Sequence, residues 1–316
     1  MHELTITRHN DLIDPALQIW AWQIPVYLFI GGLVAGIMII SGYFALKGQY
    51  KKNVFTSFYL PHISLVLLSL GMLSLFLDLE HKLYVWRLYT TFKISSPMSW
   101  GAWILILVYP ALWLNTLIRI PDAFKNLIPW FDRISAAIND HPFLVKSIGT
   151  LNMLLGTLLG MYTGVLLSSI GARPLWNSAM LWMVFLVSGL SAASAFVHLI
   201  TRDPDERLLL AKADNGFLTL ELFVIGGFIS GLLSSTGVHA EAVQLILTGA
   251  YAPMFWVGVI AMGIVIPLII QLLAVNNKIR HTSTAPLLVL LGGLILRFVI
   301  VYAGQTSHYT YQVLSR

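Results

Sequence analysis

Trp20–Leu46, WAWQIPVYLFIGGLVAGIMIISGYFAL, decides the fold class. It carries no formal charge from end to end, and about 20 apolar residues suffice to cross the hydrocarbon core of a bilayer. Seven more runs of this kind follow: Val54–Leu77, Met98–Ile118, Ser147–Ile170, Ser178–Thr201, Phe217–Ala240, Ala250–Asn276 and Thr284–Gly304. Of all eight, only the sixth, with Glu221, and the eighth, with Arg297, contain a formal charge. The expected architecture is an all-α integral membrane protein, one polytopic domain over residues 1–316, with eight transmembrane helices. Pro253 and Pro267 should mark the start of the seventh span and a kink within it, because proline lacks the amide hydrogen that a helix interior needs.

Composition supports this reading. Of the 316 residues 57% are hydrophobic and only 10% are charged, against about 25% charged in a soluble domain. A water-soluble protein is therefore excluded. The net charge of +5 reflects few acids (14) rather than a basic patch, which argues against a nucleic-acid partner. There is no cysteine. Disulfides, iron–sulfur ligation, zinc thiolate sites and covalent c-type haem are thereby removed from this polypeptide.

Lysine and arginine set the expected orientation. With the N-terminus outside, the inner connections hold 12 of these residues, among them Lys47, Lys51, Lys52, Arg119, Arg202 and Arg207. The outer connections hold 6, among them Lys82, Arg87 and Arg173. The positive-inside rule then places both termini on the outer, periplasmic side of a bacterial inner membrane. Residues 1–19 are polar and the run after them is too long for a cleavable signal, so no secretory leader is expected. Pro121–His141 is expected to form an interfacial helix, with Phe124, Leu127, Ile128, Phe131, Ile134 and Ile138 on its apolar side. Gly31-Gly32, Gly226-Gly227 and Gly292-Gly293 suit close helix packing. The stretch from Asp78 to Pro97 is the largest outer connection, and its Tyr84, Trp86, Tyr89 and Phe92 suit a lid or a docking surface.

Polar groups inside a membrane are costly and mark functional candidates. At a rise of about 1.5 Å per residue, Tyr27, Tyr162 and Arg297 each lie about 10 Å below the outer ends of their runs. Asp78 closes the outer end of the second run. Glu221 is expected near the inner end of the sixth run, about 12 Å from Arg297 along the membrane normal, too far for direct pairing. Asp214 precedes Glu221 by seven residues, so the two share a face if the helix continues back through it. Ser188, Ser191 and Ser194 line one side of the fifth run at mid-depth. Structural roles compete with these readings: membrane tyrosines often serve as interfacial anchors, and Asp78 could cap its helix or pair with Lys82. His62 and His198 could share a depth, and a single haem would need two facing histidines. Two haems would need four, and the other histidines sit in loops or near ends, so a two-haem arrangement is not expected, while a single haem stays open on the residues alone.

Four strings resemble a known family: WQIPVYLFIGGLVAG at 22–36, LDLEHKLYVWRLYTTFKISSPMSWGAW at 77–103, YTGVLLSSIGARPLWN at 162–177 and LRFVIVYAGQ at 296–305. They resemble the NrfD-type membrane subunits, specifically the membrane anchor of polysulfide reductase and its relatives, over nearly the whole chain. The resemblance implies a haem-free eight-helix subunit that exchanges electrons with menaquinone or another quinone. It implies two partners: a periplasmic ferredoxin-like iron–sulfur subunit and, beyond it, a molybdopterin catalytic subunit. The family's important positions fall here on Tyr27, Asp78, Tyr162, Asp214, Glu221 and Arg297, with Arg173, Trp176 and Asn177 in the matching outer-loop motif. Some relatives carry a histidine where Tyr27 falls.

The expected site thus has two parts. Tyr27, Tyr162 and Asp78 surround a quinone headgroup, with Trp22, Trp176 and Asn177 as lesser candidates; tyrosine hydroxyls can donate to quinone oxygens and a carboxylate can exchange the proton. Glu221, Asp214, Ser191 and Arg297 move protons, and no metal site is expected. Two alternatives stand beside this reading. One is the membrane subunit of a cytochrome c nitrite reductase or another molybdoenzyme system. The other is a proton-coupled secondary transporter, which the absence of an inverted repeat and of paired broken helices opposes.

Overall fold

A computed structural model describes residues 20–48, 58–118, 120, 129–276 and 282–308. The expectations placed on residues 1–19, on Phe124, Leu127 and Ile128, and on Lys51, Lys52 and Arg119 lie outside the described residues. Helices and turns make up the described chain, with no strand among the described residues. In chain order the helices are α1 (Gln23–Leu46), α2 (Leu60–Asp78), α3 (Trp86–Thr90), α4 (Pro97–Ile118), α5 (Pro129–Asn139) and α6 (Pro142–Ser168). Then come α7 (Leu181–Ile200), α8 (Pro204–Leu233), α9 (Gly237–Leu247), α10 (Met254–Val275) and α11 (Thr284–Thr306). Eight of these, α1, α2, α4, α6, α7, α8, α10 and α11, are long and apolar enough to cross a membrane.

The sequence α1 through α11 starts and finishes at one end of the bundle. Gln305 clamps the Trp20 backbone there, accepting from its N–H at 2.8 Å and donating to its carbonyl at 2.9 Å. That is the geometry an even number of crossings requires.

Helix α1 is the centre of the bundle and packs on α2, α6, α7 and α11. It is apolar all round because both its faces are covered. Lipid tails are as apolar as leucine, so close van der Waals contact between backbones replaces the hydrophobic effect as the force joining such helices. Small residues make the contact possible. A Cβ at Gly36 would come within 2.6 Å of the Gly189 carbonyl oxygen, and one at Gly189 within 2.7 Å of the Gly32 carbonyl oxygen. Gly292 meets Gly263 backbone to backbone, joining α11 to α10. The packing role expected of the glycine pairs thus falls on Gly32 and Gly292, whereas Gly31 and Gly226 face open space. On the perimeter the pattern reverses. Val66, Leu70, Leu73 and Leu77 of α2 recur at helical spacing and are exposed, which fits a face turned to lipid.

The largest differences from the sequence expectation are at the two ends of the sixth span. The sixth span begins at Pro204, not Phe217, and ends at Leu233. Its start carries a plain capping signal: the Asp203 carboxylate accepts from the Asp205 N–H at 3.1 Å, proline follows, and Asp205 and Glu206 occupy the first turn. Charged residues up to Asp214 disguise this half as a loop. Residues 237–240, assigned to the sixth span by hydropathy, open a separate helix, α9, whose His239, Ala242, Val243 and Ile246 are buried. In the seventh span a π-helical segment over Met254–Val265 passes into regular α-helix at Ile266. Pro253 precedes the π segment and Pro267 sits in the first turn after it, where the kink was expected.

The described part of the interfacial helix, α5, lies across the end of α4. Asn139 Nδ2 and Ser135 Oγ donate to the free Ile118 carbonyl at 2.8 and 3.2 Å, capping α4. Ile134 and Ile138 pack with Ile118, Val145 and Ile148.

Candidate functional site

At the Trp20 end a cavity of about 260 Å³ opens between α1, α2, α4 and α6, roofed by Leu79–Glu80 and α3. Its wall is mainly apolar, and Tyr27, Asp78, Glu80, Tyr89 and Tyr162 bring the side-chain oxygens. Three different spans therefore deliver Tyr27, Asp78 and Tyr162, the residues singled out by the cost of polar groups in lipid, to one place. The two tyrosines of the spans are close enough to interact electrostatically. No protein group hydrogen-bonds the hydroxyl of Tyr27 or of Tyr162, or the carboxyl of Asp78, among the described residues.

Room for Tyr162 is made by Gly101, where any side chain would run into the phenol ring. Tyr89 is the wall residue that sequence reasoning treated only as part of an aromatic outer stretch. Burial under the roof, with Tyr109 nearby, pushes its hydroxyl above the usual tyrosine range, so it stays a protonated donor. Its position follows from the short α3 folding back over the bundle, which no local pattern announces.

The three lesser candidates do not line this cavity. Trp22 is 52% exposed at the start of α1. Trp176 is buried, donates from Nε1 to the Ile300 carbonyl at 2.8 Å, and stacks on Trp20 at 5.3 Å between ring centroids. Its indole fits against Gly304, where a side chain would collide with it. Trp20 is part of the cavity wall, so Trp176 packs behind that wall. Asn177 lies in the surface turn after α6, its N–H donating to the Arg173 carbonyl at 3.2 Å. Arg173 in turn donates to the Ser307 carbonyl at 3.0 Å, tying this turn to the end of α11.

A second polar centre occupies the bundle interior. Arg297 of α11 is 1% exposed. It donates to Ser188 Oγ at 2.7 Å and to the carbonyls of Phe185 at 3.1 Å and Gly293 at 3.4 Å, and stands over the Phe185 ring at 4.7 Å. Ser188 is also the hydrogen-bonding neighbour of Glu221, and Glu221 and Arg297 interact electrostatically. This corrects the expected 12 Å separation. With α8 running from Pro204 to Leu233, Glu221 lies about 18 Å from the Trp20 end of its helix and Arg297 about 14 Å from that end of its own. The two share a level, bridged by one serine.

Seven residues along α8, Asp214 is fully buried. Its two oxygens accept from Ser191 Oγ at 2.8 Å and from Gln271 Nε2 at 2.7 Å. Ser188 and Ser191, three residues apart on α7, therefore present the same face to Glu221 and Asp214. Gln271 was missed in the sequence, although an amide inside the uncharged seventh run is the sort of costly group that should have raised attention. Farther along α7, Ser194 and His198 are buried. Ser194 Oγ, Asn215 Oδ1 and Gln271 Oε1 are buried without a protein partner among the described residues. His62 is tied to its own helix, Nδ1 lying 2.9 Å from the Phe58 carbonyl.

Eight spans, an aromatic-roofed cavity at one end and a charged column in the interior define a multi-pass membrane protein built around polar chemistry inside the bilayer. Residues 8–308 match the family model described as polysulphide reductase, NrfD, and the protein belongs to that family. It is similar to the C subunit of the polysulfide reductase of Wolinella succinogenes, at 30% identity over 308 residues, covering 91% of this protein and 95% of that one. It is also similar to the NrfD homolog of Haemophilus influenzae, 28% identical over 308 residues, and to NrfD of Escherichia coli K12, 27% identical over 312 residues. Each covers 92% of this protein, and 95% and 96% of those two respectively are matched. The protein is accordingly a membrane subunit of an oxidoreductase complex.

Proposed function

We propose that this protein is the quinone-reactive subunit of its complex, exchanging electrons between menaquinol or another quinone and an iron–sulfur subunit docked at the Trp20 end. The observation that carries the reading is the convergence of Tyr27, Asp78 and Tyr162 on one largely apolar cavity of about 260 Å³. A quinone headgroup needs such a mix: flat apolar walls, and donors for two carbonyls. The family membership supports the same reading. When bound, the quinone supplies the two-electron chemistry; the protein itself binds, orients and handles protons. Tyr27 and Tyr162 donate hydrogen bonds to the headgroup, Asp78 at the cavity mouth exchanges the proton, and Trp20, steadied by Trp176, closes the wall.

The orientation implied by the positive-inside rule puts this end in the periplasm. The exposed aromatic and aliphatic groups of the same end, Leu83, Tyr84, Trp86, Phe92 and Ile94, suit a docked ferredoxin-like subunit, with a molybdopterin catalytic subunit beyond it. A sulfur-compound reductase is the favoured system, and the co-purifying subunits decide between it and a nitrite reductase or other molybdoenzyme.

Asp214, Glu221, Ser191, Ser188 and Arg297 form a polar column suited to carrying protons from the far end towards the cavity. Buried oxygens and nitrogens with spare hydrogen-bonding capacity, such as Ser194 Oγ and Asn215 Oδ1, can hold bridging water along it.

The test is gentle purification with the partners, extraction and identification of bound quinone, and quinol-dependent turnover of Tyr27→Phe and Tyr162→Phe. The expected result is quinone in the extract and turnover reduced about tenfold by each change, equivalent to about 1.4 kcal/mol. Normal turnover and inhibitor binding in both variants would show the headgroup assignment to be wrong. For the column, proton uptake from the cytoplasmic side in Glu221→Gln proteoliposomes should fall; unchanged uptake rejects it.

A further inference from the structure

Beside the cavity of Tyr27 and Tyr162 lies a second one, about 340 Å³, between α2 and α3. The two share Leu75, Leu79, Leu88 and Tyr89 in their walls. The character of the second differs from the first. Tyr89, a shared residue, and Ser69 are the only hydroxyl-bearing side chains in its lining, and the rest is aliphatic, aromatic or thioether. Its outer rim is formed by Ser69, Leu73 and Phe76. All three are exposed; Ser69 lies beside α4, its Oγ 3.4 Å from the Tyr109 hydroxyl, and Leu73 belongs to the exposed Val66, Leu70, Leu73, Leu77 stripe that turns away from the bundle. In a spanning helix that side meets lipid.

We propose that this second cavity is the site of the ligand's isoprenoid tail and its route to the bilayer. The inference rests on the quinone reading above. A quinone is a polar-edged ring joined to a long branched hydrocarbon. A largely apolar chamber that carries tyrosine hydroxyls and carboxyls, sharing a wall with a second one whose only hydroxyls are those of Ser69 and the shared Tyr89, matches that division of chemistry along a single molecule. The shared residues make a neck: Leu75 and Leu79 on α2 and Leu88 and Tyr89 on α3. The headgroup would enter from the membrane between α2 and α3 instead of from the aqueous end, and the tail would stay threaded through the neck with its far end in lipid. Tyr89 then stands at the junction of ring and tail. Contacts of the tail with the second chamber supply affinity that a tailless analogue lacks; because the alternative is lipid, that gain comes from shape and fit.

Two measurements on the full-length protein in lipid nanodiscs test this. The first uses the unaltered protein and a menaquinone analogue bearing a photoreactive diazirine in its second isoprene unit. The label is expected on the segments Ser69–Leu79 and Val85–Tyr89; a label confined to any other helix overturns the tail site. The second compares the dissociation constants of a long-tailed and a tailless naphthoquinone by quenching of tryptophan fluorescence, in wild type and in Val85→Trp and Met72→Trp. These residues line the second chamber and not the first. The long-tailed ligand is expected to lose at least tenfold more affinity than the tailless one. Equal effects on both ligands, or none on either, overturn the route while leaving the headgroup site standing. If neither ligand binds the wild-type protein, the quinone reading itself fails, and the tail site with it.

Discussion

Replacing Arg297 by methionine removes the most deeply buried cation of the bundle and tests whether the interior column is one electrostatic unit. Arg297 is 1% exposed and Glu221 4% exposed, with Ser188 between them. Removing one member of a buried charge pair leaves the other uncompensated and costs about 3–5 kcal/mol. Glu221→Gln should be milder. The amide preserves shape and can still bond Ser188, and Arg297 retains Ser188 Oγ and the carbonyls of Phe185 and Gly293. Loss of a charge-assisted interaction there amounts to about 1.5–3 kcal/mol. The double variant Arg297→Met/Glu221→Gln contains neither charge, so no ion is stranded in the bilayer. It should be more stable than Arg297→Met alone, with a favourable interaction energy of about 1–3 kcal/mol between the sites. The assay is denaturant unfolding in lipid nanodiscs, followed by tryptophan fluorescence, for wild type, both single variants and the double. Additivity within about 0.5 kcal/mol would refute the reasoning: the two charges would not sense each other, and the column would be two separate features.

Gly101→Ala should push the Tyr162 ring out of place and weaken quinone binding five- to tenfold, the equivalent of about 1–1.5 kcal/mol for a lost hydrogen bond. Titration of the quinone into the variant checks this, and Gly101→Ala/Tyr162→Ala should unfold later than Gly101→Ala alone because the collision is gone. Gly189→Leu should prevent assembly of a stable bundle, since even a Cβ meets the Gly32 carbonyl oxygen at 2.7 Å, whereas Gly226→Ala, in open space, should leave yield and melting unchanged by size-exclusion chromatography and thermal unfolding. Gln271→Leu deprives the buried Asp214 carboxyl of its 2.7 Å donor; the expected cost is about 1–3 kcal/mol, read by the same unfolding assay, together with slower proton uptake if the column conducts.

Much of the site was legible along the sequence because a bilayer penalises polar groups so heavily that the few inside it stand out. Tyr27, Tyr162, Glu221 and Arg297 could be picked by that cost, with Asp78 at the end of a run and Asp214 on the face of Glu221 only if that helix continued back; the structure brings Tyr27, Tyr162 and Asp78 to one cavity and Asp214, Glu221 and Arg297, through Ser188 and Ser191, to one column. Trp22, Trp176 and Asn177 stand out by closeness in sequence to matching motifs, and they lie off the cavity. Trp20, two residues from Trp22, lines it instead, since a helix start turns successive side chains in different directions. Tyr89 and Gln271 went unassigned: the first depends on how α3 folds back, the second on the rotation of α10 towards Asp214.

The sequence alone determined the solvent. Eight apolar runs, six of them uncharged and two with a single charge each, require a helical bundle in lipid whose backbone polar groups are satisfied within each span. Tertiary structure decided which polar groups meet. Glu221 and Arg297 belong to helices whose starts differ by 80 residues, Pro204 and Thr284, and their common level depends on where each helix begins and how it is rotated. Hydropathy misplaced the start of α8 because Asp214 looks like loop by charge, yet it is buried by its contacts with Ser191 and Gln271. Composition fixes what a residue costs in the membrane; only the packing of one helix against the next provides the partner that makes the cost bearable.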